Sequence, residues 1–387
     1  MDGIYDEDVC CCALNRIFGF KPKIALALIS SLGGASEIFR LGGKELDMLL
    51  GADSPARRMI SGKTLTESRK ELDALYANGC SFTYYGSEDY PVMLKECEDP
   101  PVGLYVKSIS PPGEVFRKTP ALAVVGTRDI SDYGKEWCRK ITCALCRSEP
   151  VPSIVSGLAL GTDITAHSSA LECGAPTIAV MATGTDTVYP ARHREIARRI
   201  ASTPGCALIT DYPPGTPPLQ INFLRRNRII AGLSRATILI ESRSKGGGML
   251  TARLAFSYSR DVYALPGRID DVRSQGCNIL IKEKTAETIL SEKWLVRSIG
   301  LKYRETARKD DPEETLRSVY GDRYGKDRIG TLAEIVLKIR SQRGITVEEL
   351  ASATGLAYKE VLEYTVLLET DGIISTDLLQ RCYIRLK

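Results

Sequence analysis

Long apolar runs, histidine and net charge are all scarce in this sequence, and each scarcity excludes a class of protein. No apolar run is long enough to cross a bilayer, and the acidic start from Met1 to Asp8 lacks the pattern of a signal peptide. We therefore expect a cytoplasmic protein that does not enter a membrane. The formal net charge is only +4, so a surface for a polyanion has to come from local clustering of cations.

The cysteines do not show the spacing of a metal site, although the chain has 12 of them. Cys143-Ala-Leu-Cys146 is a lone CxxC inside a helical pattern, whereas a structural zinc site uses two such pairs. The chain offers only His167 and His193 as imidazole ligands. We expect reduced thiols that pack as small core residues, and no metal or other cofactor.

The pattern of apolar residues divides the chain into four parts. Residues 1–78 have helical periodicity broken by glycine pairs, which predicts a helical domain similar to a sterile-alpha-motif or helix-hairpin-helix module. Residues 79–300 alternate short β-branched runs with helical patterns, which predicts an α/β domain with a Rossmann-like, doubly wound, mostly parallel sheet. Residues 301–328 carry mixed charge and predict a solvated linker. Residues 329–387 predict a winged helix with its turn at Thr354-Gly355.

Basic residues, hydroxyls and glycines follow the predicted strands ALAVVG, SIVSG, TIAVMATG, CALITDY, ATILIES and DVYALPG. In an open parallel sheet the carboxyl ends of the strands meet at one edge, where ligands bind. Helix N-termini and glycine turns at that edge favour anions. The sequence therefore predicts a phosphate-binding edge that includes Gly126, Thr127, Arg128, Ser156, Gly157, Thr162, Arg192, Arg225, Arg226, Asn227, Arg228, Lys245, Gly247 and Gly248.

Within this set, each residue type has an expected role. Arg128, Arg192 and the pair Arg225/Arg228 are expected to form the pocket, and Ser156 and Thr162 are expected to donate hydroxyls to the phosphate. The alternative stays open that an arginine of the 225–228 run pairs with a carboxylate and only ties loops together, although we do not expect this of all of them.

His167 lies four positions after Asp163 on one predicted helix face. Without an apparent nucleophile or metal beside it, we expect a neutral imidazole bonded to a loop carbonyl rather than a catalytic group.

Nucleotide-binding fingerprints are absent. The first turn reads GTRDISDYG rather than GxGxxG, the second strand ends in Ser156-Gly157 rather than an acid, and no GxxxxGK[ST] occurs. A nucleotide-cleaving enzyme of the cytokinin-activating type is the alternative, because KGGGMLTAR (residues 245–253) is similar to its PGGxGTxxE element. The glutamate of that element is missing here, which removes the usual general acid/base.

Eight motifs carry a closer resemblance. VVGTR…YG, SGLALGTDITAH, TGTDTVYP, DYPPGTPP, NFLRRNRIIAGLS, GGGMLTARLA, LPG and SQGCNILI occur in the order and spacing of the DprA/Smf family of DNA-processing proteins, from about Tyr84 to Leu290. The resemblance implies a non-enzymatic protein that binds and protects single-stranded DNA and loads the recombinase RecA onto it during natural transformation. It also implies a homodimer built through the Rossmann-like domain.

The family's phosphate contacts carry over onto Arg128, the vicinity of Arg192, the run from Arg225 to Arg228, and the Ser156-Gly157 loop. Two positions depart from the family pattern: Leu160 stands where arginine is usual, and Thr127 replaces a serine but keeps its hydroxyl.

Two further elements bear on the partner. Tyr189 or Phe223, beside the arginines, could stack a base or could be a core or dimer residue. The presumed recognition helix of the winged helix is acidic, with Glu360, Glu363 and Glu369 among its residues. An acidic face repels phosphate, so this module is predicted to mediate protein interaction or self-association rather than to read duplex DNA; a duplex-binding regulator is the third alternative.

Overall fold

The computed structural model describes residues 5–117, 119–304, 312–321, 323–342 and 344–384, which belong to two compact units, Met1–Arg304 and Glu305–Lys387. The first unit opens with a helical region, as the glycine-punctuated periodicity predicts. Pro22 begins the second helix at a position where a missing N–H costs nothing, and Gly33, with φ of 88°, ends it. The helices are α1 (Glu7–Phe18), α2 (Pro22–Leu32), α3 (Ala35–Arg40), α4 (Gly43–Leu50), α5 (Pro55–Met59) and α6 (Gly62–Ala77).

A nine-stranded sheet follows. Its central strands are short, apolar and buried on both faces, the pattern that a parallel sheet covered by helices requires. The strands are β1 (Cys80–Tyr84), β2 (Gly103–Lys107), β3 (Ala121–Val125), β5 (Ser153–Ser156), β6 (Thr177–Val180), β7 (Ala207–Thr210), β8 (Ala236–Leu239), β9 (Asp261–Ala264) and β10 (Glu287–Thr288); β4 (Ser148–Glu149) pairs separately with β11 (Lys302–Tyr303).

The strand order is β1-β2-β7-β6-β5-β3-β8-β9-β10, and all strands from β7 to β10 in this order run parallel. The strands β1 and β2 are added antiparallel at one edge. From β3 the chain moves outward through β5, β6 and β7, and then returns to β8 on the other side of β3. The carboxyl ends of β3 and β8 therefore flank the topological switch point, where such sheets bind ligands.

Helices cover both faces of the sheet, so the predicted Rossmann-like, doubly wound class is confirmed. The helices α12, α13 and α14 pack on one face, and α9, α10, α11 and α15 pack on the other. Their bounds are α7 (Val92–Lys95), α8 (Pro112–Arg117), α9 (Asp132–Cys146), α10 (Thr162–Glu172), α11 (Arg194–Ala201), α12 (Gln220–Leu233), α13 (Gly247–Ser257), α14 (Gln275–Lys282) and α15 (Glu292–Ser298).

The helical region and the sheet share a core at the β1 edge. Phe82 of β1 and Tyr105 of β2 are buried among the side chains of the N-terminal helices, including Leu14 and Leu72. The loop after α1 lies beside α12, where Gly19 and Phe20 line a cleft with Arg225.

The second unit has its own core and the element order of a winged helix. A Thr346–Glu349 capping box begins α18, and Gly355, with φ of 70°, ends it at the predicted turn. A three-stranded antiparallel sheet completes the unit. The elements are α16 (Pro312–Tyr320), α17 (Lys326–Ser341), β12 (Ile345–Thr346), α18 (Val347–Thr354), α19 (Tyr358–Thr370), β13 (Ile374–Thr376) and β14 (Arg381–Ile384).

The segment predicted as a linker, 301–328, differs from that expectation in part. Residues 305–311 and 322 lie outside the described residues, whereas Pro312–Tyr320 forms α16. Leu316 and Tyr320 are buried in the core of the second unit. Two apolar residues four positions apart form the buried face of a short helix. In the sequence, the many charged residues around them obscure this helical pattern.

No helix among the described residues combines the length and apolar character needed to cross a bilayer. All 12 cysteines are free thiols, and most of them are buried, including Cys10, Cys11 and Cys12 in the core of the helical region.

Candidate functional site

An open cleft of about 710 Å³ lies at the switch point, between the loops that follow β3 and β8 and the first turns of α12 and α13. We call it the Arg128 cleft. The cations that line it are Arg128, Arg226, Arg243 and Lys245, against one carboxylate, Asp163. Of the residues predicted from the sequence, the cleft brings together Gly126, Thr127, Arg128, Arg226, Asn227, Lys245, Gly247 and Gly248.

Two glycines allow the walls of the cleft to approach each other. A Cβ atom on Gly126 would lie 2.4 Å from Thr162 Oγ1, and one on Gly248 would lie 3.1 Å from the Gly126 Cα. The start of α13 therefore packs directly against the turn after β3, an arrangement that side chains at these positions would prevent.

The outer wall is a stack of a cation on aromatic rings. The Arg128 guanidinium carbon lies 5.0 Å from the centroid of the Phe223 ring, within the range of a cation–π contact. Phe223 in turn meets Tyr189 edge to face, with centroids 5.3 Å apart. Tyr189 is 47% exposed, Arg128 is exposed, and both line the cleft. The cleft therefore offers an accessible aromatic ring and an accessible guanidinium.

Arg226 forms the floor and is only 3% exposed. Its guanidinium donates to the Val180 carbonyl, its Nε donates to Asn227 Oδ1 at 3.0 Å, and its Nη2 lies 3.8 Å from Asp163 Oδ2. Burial lowers the pKa of Arg226 to about 10, so the side chain stays protonated at neutral pH. A Cβ on Gly157 would lie 2.1 Å from Arg226 Nη1, which explains the glycine at this strand end.

The Asp163 carboxylate interacts with groups of the protein itself. The N–H groups of Gly157 and Ala159 donate to its Oδ2 at 3.1 and 3.3 Å. Burial raises the pKa of this carboxyl, and the neighbouring Arg226 opposes the shift. The carboxylate thus neutralises part of the charge of Arg226 and leaves Arg128, Arg243 and Lys245 as the exposed charges.

The wall of the cleft opposite Arg128 is formed by the start of α13. The N–H groups of its first turn, at Gly247 and Gly248, have no intrahelical acceptor, and no side chain caps the helix. Both glycines line the cleft together with Lys245. Together with the helix dipole, these N–H groups favour a bound anion.

Arg243 lines the cleft but was missed from the sequence. Its Nη2 lies 3.7 Å from Asp129 Oδ2, a carboxylate that Arg273 also approaches at 3.1 Å. The signal was available, since Arg243 lies two positions before Lys245 in the same loop after β8.

The two hydroxyls predicted to donate to a phosphate donate to the protein backbone instead. Ser156 and Thr162 are both buried, and their hydroxyls donate to backbone carbonyls, Ser156 to Val124 at 2.7 Å and Thr162 to Thr127 at 3.2 Å. Burial without a partner would cost each hydroxyl free energy, so these donors serve the sheet and the loop rather than a ligand.

The predicted pair Arg225/Arg228 is also not part of the Arg128 cleft. Arg228 is buried, and its Nη2 donates to Asp211 Oδ2 at 2.6 Å, so this arginine is structural. Burial raises the pKa of the Asp211 carboxyl, and the Arg228 charge counteracts the shift. Arg225 is exposed on the other side of α12, and Arg192, in a short 3-10 helix, is exposed but does not line the cleft.

His167 is fully buried, and its Nδ1 lies 2.8 Å from Thr177 Oγ1. Burial lowers the pKa of His167 to about 3, so the imidazole is neutral at physiological pH, as expected. Its partner is a hydroxyl rather than the predicted carbonyl: the Thr177 hydroxyl donates onward to the Ile154 carbonyl at 2.7 Å.

The fold and the cleft define a class: a Rossmann-like protein with a cationic, aromatic-walled cleft at its switch point, and without a dinucleotide fingerprint. Residues 81–300 match the model of the family described as DNA recombination-mediator protein A. The chain belongs to this family, as the resemblance of its motifs indicated.

Individual relatives agree. Protein Smf from Synechocystis is 43% identical over 212 residues, which are 55% of this chain and 52% of the relative. DNA processing protein DprA from Streptococcus pneumoniae is 41% identical over 195 residues, 50% of this chain and 66% of the relative. This chain thus matches about half of the length of the first of these relatives and about two thirds of the second.

Two solved structures are similar. The X-ray structure of DprA from Streptococcus pneumoniae has a TM-score of 0.54 at 31% identity and covers 67% of this chain and 92% of its own. DNA processing protein A from Helicobacter pylori, whose structure addresses its single-stranded DNA binding mode, has a TM-score of 0.50 at 29% identity and covers 57% and 95%.

Proposed function

We propose that this chain binds single-stranded DNA in the Arg128 cleft and acts as a recombination mediator rather than as an enzyme. The observation that carries the proposal is the placement of the Arg128 guanidinium, the Phe223 ring and the free amides of α13 around one open cleft. The family membership and the DNA-binding relative from Helicobacter pylori support it.

Each wall of the cleft suits one part of a single strand. An exposed arginine makes bidentate contacts with a phosphate, and helix N-terminal amides add neutral donors. The exposed ring of Tyr189 offers a platform for an unpaired base, which typically contributes about 1–3 kcal/mol. Such contacts read the backbone and the π-faces of bases, so binding should tolerate any sequence.

The finer roles follow from the family resemblance. We propose that the chain forms a homodimer through its Rossmann-like domain and delivers the bound strand to RecA during natural transformation. A dimer would join two Arg128 clefts, so that one strand could bridge them and gain affinity without new contacts.

The test is fluorescence anisotropy with labelled oligo-dT, a duplex of equal length and a nucleoside monophosphate, across a salt series. We expect oligo-dT to bind most tightly, with log affinity falling against log salt by about 0.7 per phosphate neutralised. A preference for the duplex, or salt-insensitive binding of the nucleotide alone, would contradict the proposal.

The nucleotide-cleaving alternative lacks its acid. Asp163 is the one carboxylate among the described residues that line the cleft, and it accepts two backbone N–H groups beside Arg226. It is therefore not free to act as a general acid or base. Release of free base from a nucleoside monophosphate would revive this alternative.

The winged-helix unit is proposed to mediate protein contacts. The exposed residues of α19 include Tyr358, Glu363 and Val366. This surface is mixed and lacks the cluster of basic residues that binding in a groove of duplex DNA requires. Deleting 305–387, the whole second unit, is therefore expected to leave oligo-dT affinity within about tenfold of the full chain. A larger loss in the same anisotropy assay would show that this unit contributes contacts or avidity.

A further inference from the structure

A second cleft, of about 290 Å³, lies on the other side of α12 from the Arg128 cleft. We call it the Phe20 cleft. The loop after α1 supplies Gly19 and Phe20, α12 supplies Arg225 and Arg228, and α13 supplies Leu250. Phe20 is 63% exposed, a large fraction for an aromatic ring in a loop between two packed helices.

Arg225 stacks on this ring and keeps its charge available. Its guanidinium carbon lies 4.0 Å from the Phe20 centroid, and no described carboxylate forms an ion pair with it. The two carboxylates at the back of the cleft, Asp99 and Asp211, both face Arg228. Arg228 offsets one of these two charges, so the charges lining the cleft sum to zero, and Arg225 is the cation without a described carboxylate partner.

The two clefts adjoin across a single ridge. Leu224 lines both of them and is 43% exposed. Successive residues of the ridge serve opposite sides, because a helix turns by about 100° per residue: Arg226 forms the floor of the Arg128 cleft, and Arg225 faces the Phe20 cleft.

We propose that the Phe20 cleft is a second subsite for the same DNA strand, which crosses the α12 ridge at Leu224 and stacks a base on Phe20 while Arg225 contacts its phosphate. This inference rests on the proposed function of the Arg128 cleft. The stack of Arg128 on Phe223 recurs here as Arg225 on Phe20, and the exposed Phe20 ring offers a platform for a base as Tyr189 does on the first side of the ridge. The N-terminal helical region thereby becomes part of the DNA-binding surface.

The size of the ridge sets the length of DNA that reaches both subsites. A helix with its side chains is roughly 10 Å wide, which corresponds to about three phosphates at the ~3.4 Å spacing of a stacked strand. Oligonucleotides of about three nucleotides should therefore fill one subsite, and those of about six or more should fill both.

The experiment measures affinity of the full-length protein for oligo-dT from dT3 to dT12 at low salt. Phe20→Ala and Arg225→Gln are compared with wild type. The matched controls are Met48→Ala, an 81% exposed apolar residue of the helical region, and Arg235→Gln, an exposed cation at the opposite end of β8. Phe20→Trp adds a direct signal, because a stacked base quenches indole fluorescence beyond any change that the native Trp137 and Trp294 show in wild type.

We expect Phe20→Ala to weaken dT12 binding by about tenfold, the typical effect of losing one stacked base, while dT3 binding and both controls stay at the wild-type level. Phe20→Trp should keep its affinity and be quenched by dT12 only. Equal affinities of Phe20→Ala and wild type at every length would overturn the second subsite while leaving the proposed function intact. Absence of oligo-dT binding by wild type would instead overturn the proposed function, and this inference with it.

Discussion

Alanine in place of Arg128 is expected to weaken oligo-dT binding by about 10- to 100-fold, since a hydrogen bond to a charged group contributes roughly 1.5–3 kcal/mol. Arg128 is the exposed cation that stacks on Phe223, and Arg226 on the floor cannot replace it because it is buried and its Nε and Nη1 donate to Asn227 and Val180. The slope of log affinity against log salt should fall by about 0.7, the value for one lost phosphate contact on a single strand.

Anisotropy titrations in a salt series measure both quantities at once. Arg128→Lys should fall between wild type and alanine, because lysine keeps the charge but loses the planar fork and the stack. Arg268→Ala is the control: Arg268 follows β9, is exposed and does not line the cleft. Unchanged affinity and slope in Arg128→Ala would show that the strand does not bind in this cleft.

Arg228→Ala is expected to act on stability instead, lowering the free energy of unfolding by about 3–5 kcal/mol. The substitution leaves the Asp211 carboxylate buried without its ionic partner, and Asp211 Oδ1 already has no hydrogen-bond partner. It also removes a donor to the Asp99 carbonyl, which holds the loop before β2 against α12. Urea unfolding followed by tryptophan fluorescence measures the change.

Arg225→Ala is the matched comparison, three residues away on the same helix. Its guanidinium is exposed, stacks on the Phe20 ring and forms no ion pair with a described carboxylate, so the free energy of unfolding should change by less than about 1 kcal/mol. In the double variant Arg228→Met with Asp211→Leu, stability should be largely recovered, because removing both charges avoids the unpaired one. If Arg228→Ala unfolds like wild type, the ion pair is not a structural element.

The arginine run shows how far the sequence reaches. Three arginines within four positions of one helix, at the carboxyl edge of a parallel sheet, indicated an anion site, and the cleft lies at that edge. Which arginine faces the ligand depends on the rotation of α12 against the sheet. That rotation puts Arg226 on the floor of the Arg128 cleft, Arg228 against Asp211 and Arg225 in the Phe20 cleft, so the expected pair Arg225/Arg228 does not line one pocket with Arg128.

The prediction that two hydroxyls donate to a phosphate differs from the structure for a similar reason. Ser156 and Thr162 carry the right chemistry at the right edge, but each lies where a neighbouring backbone carbonyl is within reach and water is excluded. Residue type reveals what a side chain can donate, whereas burial decides to what it donates. Arg243 is the converse case: an exposed loop cation two positions before Lys245 that the tertiary structure places in the cleft.

The sequence by itself determined the class of this protein, because local information carries it: alternating apolar runs and helices specify a doubly wound sheet, glycines mark the turns, and the motif series identifies the family. Only the tertiary structure decided which side chains act together. Helix rotation, strand register and the packing of the α1 loop beside α12 are set by contacts between residues far apart in the chain. Those contacts place Arg128 on Phe223, and Arg225, more than 200 residues away in sequence, on Phe20.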